Sequence, residues 1–222
     1  MSANPLIETM VVVSGPSAAG KSTFIRQLMN GTLAADILAT IPDQAGNWPL
    51  VDGNDIMKQQ KSATDVLPKG GIIPGIVVHY DFVHILRINF AGTYRDDPFY
   101  ELFDLSKRIV ICDIRPTRSR LVDQFEQRLA QQKKRRGLLK NSFRALIHNP
   151  MRSLKNRLSG VSHENKQELY NSEQWLDECY ARWDEFLKHE VNNRSEVQEV
   201  RILPTGTDDA PNFQLESPNG TS

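Results

Sequence analysis

The stretch that most constrains this chain is Gly15-Pro16-Ser17-Ala18-Ala19-Gly20-Lys21-Ser22, followed by Thr23. It fits the pattern G-x-x-x-x-G-K-[ST], and its surroundings supply the context that the pattern needs. Upstream, Met10-Val11-Val12-Val13 is a continuous apolar run rich in β-branched residues, as expected of a strand buried on both faces. Downstream, Phe24, Ile25, Leu28 and Met29 recur at helical spacing, and Asn30-Gly31 supplies a stop. Strand, glycine loop and helix thus follow in order. Glycines at 15 and 20 let the backbone curl so that successive N–H groups point at anionic oxygens, and the helix N-terminus favours the same charge. The expected nucleotide-binding set is Gly15, Pro16, Ser17, Ala18, Ala19, Gly20, Lys21, Ser22 and Thr23. Lys21 is expected at the β- and γ-phosphates, with the Ser22 hydroxyl on Mg²⁺.

The loop Gly-Pro-Ser-Ala-Ala-Gly-Lys-Ser-Thr resembles that of the small P-loop kinases, such as guanylate kinase and adenylylsulfate kinase, more than that of the GTPases. The specific match covers about the first tenth of the chain; beyond it, the order of elements and weaker local patterns match. The resemblance implies a small-kinase fold that takes ATP and Mg²⁺ and transfers phosphate to an acceptor it does not identify. The expected fold class is therefore α/β: a three-layer P-loop NTPase domain with a mainly parallel central sheet, helices on both faces and a basic helical lid.

The 222 residues suffice for one α/β domain, expected over 1–207 with a frayed tail over 208–222. Basic and acidic residues balance at 27 each, so no global field points to nucleic acid or a membrane surface. Cys112 and Cys179, both in apolar contexts, read as buried free thiols. With no basic leader and no apolar run of membrane-spanning length, a cytoplasmic protein is the expectation.

Acid-tipped strands carry the rest of the chemistry. A short strand, Pro49-Leu50-Val51, delivers Asp52-Gly53-Asn54-Asp55 at its carboxyl end, where open α/β sheets bind ligands. Asp52 and Asp55 are the acceptor-binding candidates; the same residues also read as a turn with Asp55 capping the next helix. Adenylylsulfate kinases carry a similar Asp-Gly-Asp-Asn at this point in the element order, with the third and fourth residues exchanged relative to this chain. Ile72 to Asp81 gives a strongly apolar strand ending in an acid, and Ile109-Val110-Ile111-Cys112-Asp113 gives another. Such a strand holds one carboxylate rigidly beside a metal and γ-phosphate, and Asp81 is the leading metal or base candidate, with Asp113 its competitor. His79 and His84 flank the first site and read as packing or hydrogen-bonding residues. Arg87 is an acceptor-binding candidate because a guanidinium fork suits phosphate or carboxylate, although a surface position is equally consistent with its context.

Between Glu126 and Glu164 no acidic residue occurs, while ten lysines and arginines alternate with apolar residues. By position this segment, about 127–163, resembles the lid of small kinases, whose arginines neutralise charge during transfer, and Arg128 and Arg135 are the candidate catalytic arginines. A basic helical hairpin that grips RNA or another polyanion, or a solvated face, also fits the pattern. Trp175, Leu176, Cys179, Tyr180, Trp183, Phe186 and Leu187 then form the apolar stripe of a long helix. Glu199 to Leu203 is expected to be the last strand, with disorder from Asp208 onward. The best reading is an ATP- and Mg²⁺-dependent phosphotransferase acting on a small-molecule or sugar-like hydroxyl. The alternative is a nucleotide-binding module that engages RNA through its basic segment.

Overall fold

The computed structural model describes residues 6–16, 18–53, 56, 65, 67–69, 71–81, 98–121, 123–124, 127, 130, 173–206 and 211–216. Among them, a six-stranded sheet has the order β2-β3-β1-β4-β5-β6. The strands are β1 (Ile7–Gly15), β2 (Leu50–Asp52), β3 (Ile76–Asp81), β4 (Ser106–Ile114), β5 (Val197–Gly206) and β6 (Pro211–Leu215). The first five run parallel, and β6 returns antiparallel to β5. The protein is thus an α/β protein with a mainly parallel sheet.

The apolar run before the glycine loop becomes the middle of this sheet. β1 is hydrogen-bonded to β3 on one side and β4 on the other, so Met10 to Val13 have no solvent edge and are fully buried. That is why its pattern is continuous rather than alternating. At Pro74-Gly75 the apolar run over 72–81 breaks. Ile73 makes an isolated bridge to Ile7, and β3 proper starts at Ile76. A Cβ on Gly75 would lie 2.2 Å from the Trp48 ring, so glycine is required for that indole to lie over the strand entry.

Strand alternation divides the core. Val11, Val13, Val77, Val110, Cys112, Ile114, Val200 and Ile202 join Phe24, Ile25 and Leu28 of α1 (Lys21–Met29) in one apolar cluster. Burial of each such large side chain contributes about 1.5–3 kcal/mol. The helix ends where the sequence stops it: Asn30 caps it, and Gly31 takes φ +64°. The alternate positions meet aromatic side chains. Tyr80 stacks on Phe99 at 4.0 Å between centroids and lies 5.8 Å from Trp183 of the helix α4 (Glu173–Asn193). Short helices α2 (Ala35–Leu38) and α3 (Glu101–Asp104) lie in the connections before β2 and β4. The Tyr100 hydroxyl donates to buried Glu190 at 2.9 Å, and Arg194 bonds Tyr100, Glu190 and Asp104, tying α4 to the turn before β4.

Two expectations change here. Residues 211–216 do not belong to a frayed tail: β6 pairs along β5, and Phe213 is 1 % exposed within the main core. Strand β5 is accordingly not the last strand. A single buried aromatic and Leu215, two residues apart, supply the period-two anchor that polar neighbours conceal. The chain divides into two units, residues 1–116 with 181–222, and residues 117–180. In the second, Arg118 pairs with Asp177 at 3.7 Å, and the basic segment 127–163 lies almost wholly outside the described residues. No helix among the described residues is long and apolar enough to cross a membrane.

Candidate functional site

The site is built at the carboxyl ends of β1, β2 and β3. As β1 ends, Gly15 takes φ +148° and Gly20 takes φ +95°, and between them Ala18 takes φ +69°. Backbone that alternates into the left-handed region is the kind that can turn successive N–H groups toward one side. The turn is closed by Ala19 N–H donating to the Pro16 carbonyl at 3.1 Å. Helix α1 then starts at Lys21 with Gly20 as its N-cap, no side-chain cap and no acidic residue in its first turn. Its positive end is therefore not neutralised by a side chain of that turn.

Lys21 is buried, with its side chain 4 % exposed. Its Nζ donates to the carbonyls of Gly15 at 2.8 Å and Pro16 at 2.7 Å. The ammonium thus spans the mouth of its own loop. Asp81 stands 3.8 Å from the same Nζ. The register explains the meeting: Gly15 and Asp81 are direct partners across β1 and β3, so the loop and the carboxylate leave the sheet side by side.

Asp113 is differently placed. Its partner across β1 and β4 is Ser14, one residue earlier, and alternation sends its side chain to the aromatic side of the sheet. There it is fully buried and accepts hydrogen bonds from Trp183 Nε1 at 3.1 Å, Ser14 Oγ at 3.3 Å and Arg115 Nε at 2.5 Å. Burial pushes its carboxyl upward, against the opposing pull of the Arg115 guanidinium. Burial opposes the charge on Arg115, yet hydrogen bonds to Asp184 and Asp113 hold its pKa above the ordinary range. Of the two acid-tipped strands, only β3 brings its carboxylate to Lys21.

Asp52 pairs with His79 across β2 and β3, and the two side chains approach at 3.7 Å. His79 and Asp81 are two residues apart on β3 and share a face, so Asp52, His79, Asp81 and Lys21 lie along one rim. Burial, then the nearby Lys21 charge, lowers the His79 pKa, against the opposing pull of Asp52 and Asp81. His79 therefore flanks the site, as expected, and its contact is with Asp52 on the neighbouring strand. Ser22 is exposed in the first turn of α1, and Thr23 is half-buried beside it. Ser17, Asp55, Arg87, Arg128 and Arg135 lie outside the described residues. Among the described residues no group of three His, Cys, Asp or Glu side chains forms a metal-holding cluster.

One contributor escaped sequence reading: Phe213 of β6 packs edge-on against Phe24 at 5.1 Å and faces Gly20. Comparison with protein-family models, with curated proteins and with solved structures finds no match.

Proposed function

We propose that this protein is an ATP-dependent phosphotransferase of the small P-loop kinase type, with the three-layer architecture of that class, acting on a small-molecule or sugar-like hydroxyl. The observation that carries the reading is the meeting of a left-handed glycine loop, a buried lysine and a strand-end carboxylate, with Lys21 Nζ 3.8 Å from Asp81 and bonded to the loop's own carbonyls. A buried ammonium held by two carbonyls is exchangeable: phosphate oxygens at the loop replace the Gly15 and Pro16 carbonyls as its acceptors.

The donor set fits magnesium as well as phosphate. Mg²⁺ bound to a nucleotide keeps most of its ligands as water and phosphate oxygen and takes one or two from protein, so a three-carboxylate cluster is not required. Ser22 Oγ and Asp81 are the residues to hold it, and when bound it neutralises charge on the transferring group. The chain's own groups do the remainder. The loop amides and Lys21 fix the γ-phosphoryl group, and Asp52 positions the acceptor hydroxyl on the rim. As the new O–P bond forms and the bridging O–P bond breaks, the hydroxyl proton passes to a rim carboxylate and ADP leaves.

Thermal unfolding of the wild type and Lys21→Ala, each with MgATP, MgGTP or no nucleotide, tests the site. At about a hundred times Kd, a bound nucleotide adds about 2.7 kcal/mol to wild-type stability and nothing to Lys21→Ala. Equal melting temperatures for wild type with and without nucleotide refute the reading. ADP release over a panel of polyols, sugars and nucleosides then identifies the acceptor, and Asp81→Asn abolishes transfer.

A further inference from the structure

We propose that Phe213, on the C-terminal strand β6, is a positioning residue of the nucleotide site and holds the loop in its phosphate-binding shape. The proposal rests on the nucleotide reading above and adds a residue that no pattern around the loop points to. The Phe213 ring lies against two parts of the loop-to-helix junction. Its Cε1 and Cζ stand 3.6 Å from where a Cβ on Gly20 would be, so the ring forms a wall at van der Waals distance from that glycine. Its edge meets Phe24, in the first turns of α1, at 5.1 Å and 88° between ring planes. Ala19, the residue before Gly20, is fully buried in the same cluster.

The physical need for the wall lies in Gly20. A glycine at φ +95° adopts that geometry without strain, but for the same reason it adopts many others. The N-cap of α1 has no side-chain hydrogen bond to fix the entry of the chain into the helix. Backbone hydrogen bonds from Ala19 to Pro16 and from Thr23 and Phe24 to the Gly20 carbonyl close the junction, and Phe213 adds side-chain packing from a strand nearly two hundred residues away in sequence. Register holds the ring in place: Phe213 pairs with Pro204 on β5, and its N–H donates to Asn212 Oδ1 at 3.0 Å. Without the ring, the loop spends only a fraction of its time competent for phosphate, and the apparent Kd rises by the inverse of that fraction.

The test is calorimetric titration of wild type, Phe213→Ala, Phe213→Leu and Leu215→Ala with MgATP and with magnesium tripolyphosphate. Each protein is titrated at a temperature where circular dichroism shows it folded. Phe213→Ala is expected to weaken both probes about tenfold, corresponding to a competent fraction of about a tenth, and Phe213→Leu about threefold. Leu215→Ala is the control. Leu215 packs against the same core from the same strand, so its loss lowers the melting temperature while affinity stays within about twofold. If Phe213→Ala does not fold, Phe213→Leu decides. Wild-type affinity in the folded Phe213 variants, or an equal loss in Leu215→Ala, overturns the proposal. So does a loss confined to MgATP, which makes Phe213 a contact of the nucleoside. A wild type that binds neither probe removes the nucleotide reading and this proposal with it.

Discussion

Replacing Gly15 by alanine tests the loop's geometry more severely than any change to its charged residues. A Cβ at this position falls 2.7 Å from the backbone carbonyl oxygen of Ile114 and 3.2 Å from the Ala19 Cβ. Ordinary contact is about 3.5 Å, so the overlap with the carbonyl is about 0.8 Å. No rotamer change relieves it, because the obstructing atom belongs to β4, whose ladder to β1 runs up to Ser14 and Asp113. The backbone at Gly15, φ +148°, adds a conformational cost for any L side chain. Gly31 provides the matched reference: it has φ +64°, and nothing stands within 4 Å of its Cβ position. Gly31→Ala therefore carries the left-handed penalty alone, about 1–2 kcal/mol. Gly15→Ala carries a backbone penalty and, for overpacking, about 1–3 kcal/mol more. Urea denaturation of both variants reads the difference as a lower midpoint at unchanged slope for Gly15→Ala. The same substitution moves the carbonyl that holds Lys21 and is expected to abolish nucleotide stabilisation. A Gly15→Ala midpoint equal to that of Gly31→Ala would show that the two strands do not approach as closely as described.

Two further outcomes follow from the buried groups. Arg115→Met leaves the fully buried Asp113 without its cation and is expected to cost about 3–5 kcal/mol in denaturant; a loss under about 1 kcal/mol contradicts the burial. Burial raises the Cys112 thiol from 9.0 to about 12, so iodoacetamide at pH 8 leaves it unmodified in the native protein, as peptide mass spectrometry would read. The folded state keeps that proton while the unfolded state releases it. Stability therefore falls as pH rises from about 9 to about 12, and falls less steeply in Cys112→Ala. Ready alkylation at pH 8, or parallel pH slopes, would place the thiol elsewhere.

The parts of the site that were legible in sequence are those where local and global requirements coincide. Four apolar residues, three of them β-branched, before a glycine loop have one compatible place, a central strand, and β1 occupies it. What brings Asp81 rather than Asp113 to Lys21 is register: Gly15 faces Asp81, whereas Asp113 is one residue and one face removed. Neither strand announces its register, since both read as apolar runs ending in an acid. Strand β6 was illegible for another reason. Pro211, Asn212 and Gln214 look like loop composition, and only the return pairing along β5 gives Phe213 and Leu215 a common face. His79 reads from sequence as a packing or hydrogen-bonding residue beside the site, and its partner, Asp52, is set by the pairing of β2 with β3.

The central place of β1 also orders events during synthesis. Of the described strands β1 is made first, yet its two partners begin at Ile76 and Ser106, so the apolar run Met10 to Val13 waits for roughly sixty to a hundred residues before its edges are covered. During that interval the growing chain presents an uncovered strand of the kind that associates with other chains. Strand β6 is made after β5, the strand it pairs with, and after the other strands of the described sheet. A chain that ends shortly after Gly206 therefore carries the five parallel strands of the described sheet and lacks the aromatic wall beside Gly20.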